Sequence, residues 1–114
     1  MTKAAGPKIV EVRVSETFSG DLSGEGTVRF LQTLADDGSA SFVGVERFTG
    51  TLAGRRGSFV LQDQGTVAND VVSGTWFVVP NSGTGELTGL RGDGGFKAAL
   101  GQSAEIWLDY EFGA

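Results

Sequence analysis

Between Ser39 and Leu52 the chain reads SASFVGVERFTGTL, and one carboxylic acid, Glu46, alternates there with Phe42, Gly44 and Phe48. If that face is inward, the acid loses its water, its pKa rises, and it can act as a general acid or base. If Val43 and Val45 point inward instead, Glu46 faces solvent or pairs with an arginine across the sheet. Both faces carry apolar residues, so period two alone leaves the two phases open. The next run poses the same choice, since Gln62 shares a face with Val60, or Asp63 shares one with Phe59 and Leu61. A neighbouring carboxylate would raise the pKa of Glu46 further, whereas an amide would orient it. Tyr110 shares its face with Ala104, Ile106, Leu108 and Phe112, so its hydroxyl needs an interior partner, and Glu46 is the candidate. Phe30, Phe42 and Trp76 are the candidate walls of a ligand site, with Gln62 and Asp63 as its polar groups.

The composition narrows the chemistry these residues can do. Among 114 residues there is no Cys and no His, which removes thiol nucleophiles, disulfides, zinc-thiolate sites and the Ser-His-Asp mechanism. A net charge of −5 repels a phosphate backbone, so nucleic acid is not an expected partner. The glycines of Gly85–Gly89 and Gly92–Gly95 lack the following helix that a nucleotide loop requires. The acidic pairs Asp36/Asp37 and Asp109/Glu111 follow no calcium-loop spacing, so no metal is expected, and no cofactor. The start, MTKAAGPKIV, has no signal-peptide core, and the apolar window Trp76–Val79 is too short to span a bilayer. These features read as a cytoplasmic protein with no membrane partner.

Positioning such residues falls to strands. Val10, Val12 and Val14 alternate with Glu11, Arg13 and Ser15 in Lys8–Phe18, and the same period recurs through Glu25–Leu34, Ser39–Leu52, Ser58–Val67, Val71–Val79, Thr84–Leu90, Gly95–Leu100 and Ser103–Phe112. Asp36-Asp37-Gly38 and Asn69-Asp70 mark turns, and Pro80 closes a strand. No helical apolar stripe is present, so the fold class is all-β, an eight-stranded antiparallel β-barrel in a single domain over residues 1–114, with residues 1–7 frayed. The motif GxLxG recurs as Gly20/Leu22/Gly24, Gly50/Leu52/Gly54 and Gly85/Leu87/Gly89. Each copy reads as a strand-end bend with its leucine anchored in the core.

The blocks GVERFTGTLAGRRGSFVLQ (Gly44–Gln62), SGTWFVVPNSGTGELTGLRGDGGF (Ser73–Phe96) and LDYEF (Leu108–Phe112) resemble an uncharacterised bacterial family, a domain of unknown function placed among the allene oxide cyclase-like barrels. The resemblance implies an eight-stranded barrel, often oligomeric, whose relatives steer cyclisation or coupling of small molecules in an apolar cavity without a cofactor. No motif aligns residue by residue with the relatives' catalytic groups. The expected function is therefore a cofactor-independent isomerase or cyclase acting on a small hydrophobic metabolite, with Glu46 and Tyr110 as its catalytic residues. A non-catalytic binding protein and a filled barrel working through self-association are the alternatives. A homo-oligomer, dimer or trimer, is expected, with Trp76 and Trp107 as interface candidates.

Overall fold

The alternating stretches fold as β1 (Lys8–Phe18), β2 (Leu22–Leu34), β3 (Ala40–Leu52), β4 (Arg55–Ala68), β5 (Val71–Val78), β6 (Leu90–Ala99) and β7 (Glu105–Phe112). The computed structural model describes residues 6–113, so the fraying expected of residues 1–7 lies mostly outside the described residues. All neighbours pair antiparallel in one sheet of order β1-β2-β3-β4-β5-β6-β7. This is an open seven-stranded sheet and not the closed eight-stranded barrel expected from the sequence.

The missing strand is Thr84–Leu90. It forms instead a loop with a single 3-10 turn, Gly85–Leu87, and Leu90 belongs to β6. The loop lies along the first half of β4, which β5 does not reach. There the β4 amides of Val60, Ser58 and Arg56 donate to Ser82 Oγ (3.0 Å), Thr84 Oγ1 (3.1 Å) and Glu86 Oε1 (3.0 Å). Side-chain oxygens at every second residue thus replace the carbonyls of a strand, which is why period two misled there. An odd strand count also makes β1 and β7 run in the same direction, so no antiparallel ladder can close the sheet.

The sheet is nevertheless strongly concave. Phe42 on β3 and Phe96 on β6 are three strands apart, about 14 Å in a flat sheet, yet their ring centroids lie 6.0 Å apart. One end of the concavity is solid. Phe18, Leu22, Phe48, Leu52, Phe59, Leu61, Val78, Leu87 and Leu90 form a continuous buried cluster there with Trp76. All three GxLxG leucines belong to it, and all six flanking glycines have positive φ. The recurring motif is therefore a recurring corner that turns the chain and drops a leucine into the core.

Residues suited to left-handed backbone and a side-chain cap set the turns between the strands. Asn69 and Asp70 have φ of 52° and 62°, the pair of left-handed residues a two-residue hairpin needs to match strand twist. Asp37 Oδ1 accepts from the Ser39 amide at 2.9 Å, holding the turn that contains Gly38.

Candidate functional site

Beyond the solid end the interior opens into a hollow of about 810 Å³ lined from both edges of the sheet, by Val14 and Glu16 of β1 and by Phe96 and Ile106 of β6 and β7. Its walls include Phe30, Phe42 and Trp76, three of the residues expected to bind a ligand. Their rings run on from one another through Phe96, with centroid separations of 5.5 Å (Phe30–Phe42), 6.0 Å (Phe42–Phe96) and 5.1 Å (Trp76–Phe96).

The phase that the sequence left open on β3 is settled by its bulkiest side chains. Ala40, Gly44, Glu46, Phe48 and Leu52 are buried, while Val43 and Val45 are each 50% exposed on the outer face. Glu46 is only 1% exposed, standing between Val28 of β2 and Leu61 of β4. On β4 the inward residue is Asp63, 6% exposed, between Gly44 and Trp76. Gln62 lies on the opposite face, exposed between Val45 and Phe77, and so is not part of the hollow.

Glycine makes the room for the acid. A Cβ on Gly26 would run into Glu46 Oε2 and would stand 3.0 Å from the Phe18 ring. Across the sheet from Gly26 is Glu16, a residue that sequence reasoning missed. Its signal was present, because the face that carries Val10, Val12 and Val14 continues to residue 16.

The three carboxyls shape one another. Burial foremost, then a hydrogen bond and repulsion from Glu16, then repulsion from Asp63, push Glu46 up to about 9. Near neutral pH its proton is therefore held. Burial and the Glu16 charge push Asp63 up to about 6, so that group is mostly ionised at neutral pH. Among the described residues Glu46 Oε2 and Asp63 Oδ1 are buried without any hydrogen-bond partner. Among the described residues no lysine or arginine lines the hollow, and the ion pairs join Glu11 to Arg13 and Arg29 at the surface.

Tyr110 does not join this group. It has the inward register position expected of it, but β7 is an edge strand, the residue is 40% exposed, and it is not among the hollow's lining. Its ring packs edge-on against Phe112, 6.1 Å between centroids. Trp76, in contrast, ties the last strand to the interior. Its indole N–H donates to the Trp107 carbonyl at 3.1 Å, on a path over Gly94, its neighbour on β6. Trp107 itself is 50% exposed on the outer face. Among the described residues no group of three or more His, Cys, Asp or Glu is placed to hold a metal ion, and no helix is long and apolar enough to cross a membrane.

A sequence profile described as a protein of unknown function, DUF3224, matches residues 1–110. The chain belongs to the DUF3224 family. A crystal structure of another DUF3224 protein of unknown function, from Shewanella oneidensis MR-1, superposes with a TM-score of 0.84 at 33% identity, covering 100% of this chain and 85% of that one. No curated protein matches the chain. DUF3224 membership thus establishes kinship and leaves the chemistry to be argued from the site.

Proposed function

We propose that this DUF3224 chain binds a small, largely hydrophobic molecule in the hollow and isomerises it by moving a proton, without a cofactor. The observation that carries the reading is Glu46: a carboxyl buried at the floor of an aromatic-walled hollow, with one oxygen unpartnered. Leaving such a group unpaired costs about 1–3 kcal/mol, a cost more readily understood at a working site than in a packing core. Two carboxyls whose surroundings push their pKa values apart divide the labour of an acid and a base. Asp63, ionised, takes a proton from the substrate. Glu46, protonated, supports the negative charge that develops and returns a proton elsewhere on the molecule. The substrate then leaves with its atoms rearranged, Asp63 protonated and Glu46 ionised, and a proton passes from Asp63 to Glu46 through solvent to restore both carboxyls before the next turnover. Neither Tyr110 nor Gln62 has a part in this arrangement.

Mass spectrometry of small molecules released from the denatured protein identifies the ligand. With it in hand, kcat/KM should be bell-shaped in pH, its limbs near 6 and 9 for the coupled acid group. Glu46→Gln and Asp63→Asn should each abolish turnover while binding persists. Unchanged turnover in Glu46→Gln would remove that residue from the chemistry. Binding without any turnover in the unaltered protein would make the chain a carrier for the same ligand.

A further inference from the structure

The hollow has acceptors in excess and a shortage of donors. Glu46 Oε2 and Asp63 Oδ1 both lack a partner, and Glu16 adds a third carboxyl to the same lining. Against them the described lining side chains offer only the amides of Gln32 and Gln102 and a few hydroxyls, since the Trp76 N–H is already given to Trp107. A ligand carrying a carboxylate or phosphate would bring more acceptors and more negative charge. An alcohol has one proton to give to two orphaned oxygens.

We propose that the ligand is an organic cation, a protonated amine on an apolar body, with its N–H groups on Glu46 and Asp63 and its body against Phe30, Phe42 and Phe96. An ammonium group supplies the two donors the floor lacks and the charge that none of the described lining side chains provides. The aromatic rings attract a cation through their faces and exclude water from its hydrocarbon part. They also argue against a bare metal ion, which seeks several oxygens in a wet, polar shell. This inference rests on the reading of the hollow as a ligand site.

Binding leaves the proton of Glu46 in place. The ammonium pairs its charge with ionised Asp63 and donates to the unpartnered Oε2 of Glu46, so the acid keeps the proton that the isomerisation uses. The groups that face Glu46 are Glu16 from β1 and Asp63 from β4, both acids.

The test compares matched probes: phenethylamine, phenethyl alcohol and 3-phenylpropionate, together with their naphthyl counterparts, titrated calorimetrically near neutral pH in two buffers of different ionisation enthalpy. The amines should bind about ten- to a hundredfold tighter than the alcohols, the range expected of charge-assisted hydrogen bonds, and the acids not at all. Their heats should agree between buffers, since Glu46 keeps its proton and Asp63 is already mostly ionised. In a Glu46→Gln/Asp63→Asn variant whose circular dichroism matches the parent, the preference for amines should vanish. Alcohols or acids that bind as tightly as the amines overturn the cation and leave the hollow as a ligand site. Failure of every probe overturns both. An amine preference that survives the double variant overturns the assignment to these carboxyls.

Discussion

At the scale of single residues, Glu46 makes a measurable demand on the whole fold. Its carboxyl titrates at 4.5 when unperturbed and at about 9 when folded. Between those values the folded chain holds a proton that the unfolded chain has released, so raising the pH favours unfolding. Glu46's contribution to stability is therefore complete below 4.5 and is lost as pH climbs to about 9, with a slope of about 1.4 kcal/mol per pH unit. Asp63 adds a loss of the same sign between 3.8 and about 6. In urea denaturation the unaltered protein should weaken steadily from pH 6 to 9, and Glu46→Gln should flatten that interval. An equal slope in both would show that the carboxyl is not held protonated. The acid itself was legible in the sequence, because an ionisable residue interrupts an alternation of aromatic and small residues. Its orientation was not, since Val43 and Val45 make the opposite face equally apolar, and only the packing of Phe48 and Leu52 chooses between them. Glu16 escaped notice for the reverse reason, as it extends a valine face near an exposed edge.

At the scale of elements, the turns carry the sequence information and the loops that imitate strands conceal it. Asn69-Asp70 and the GxLxG corners announced themselves through residues that tolerate left-handed backbone. The corner between β3 and β4 is imperfect in one respect. Ala53 has φ of 50°, a conformation that its Cβ resists, just ahead of Gly54 at 84°. Ala53→Asn would create the Asn-Gly pair such hairpins prefer, and should raise stability by about 0.5–1 kcal/mol in equilibrium denaturation. No gain, or a loss, would mean that the turn is held by something other than local preference. The stretch Thr84–Leu90 was unreadable by the same rules. Ser82, Thr84 and Glu86 alternate as a strand's outward residues would, yet their side-chain oxygens accept the β4 amides, and the backbone returns a bond from the Thr84 amide to the Ser58 carbonyl at 2.8 Å. Period two records which side chains share a face, and here it recorded side chains doing the backbone's task.

At the scale of the whole molecule, the two ends of the concavity differ, one packed solid and one hollow. Leu87 is 0% exposed in the solid cluster, so Leu87→Ala should cost about 2–5 kcal/mol. Phe30→Leu, on the wall of the open hollow, should cost less than about 1.5 kcal/mol. Similar losses from both, measured by thermal and urea unfolding, would contradict the division. The sequence conveyed an all-β chain with an acid among aromatics, but closure depended on counting strands, and one miscounted segment changed the answer. The odd number of strands has a practical consequence. Lys8 lies at the end where the β6–β7 turn, Leu100–Ala104, borders the hollow, whereas Phe112 lies beside Leu90 at the packed end. A surface tether placed after β7 therefore holds the molecule by its packed end, with the β6–β7 turn and the hollow it borders at the far end.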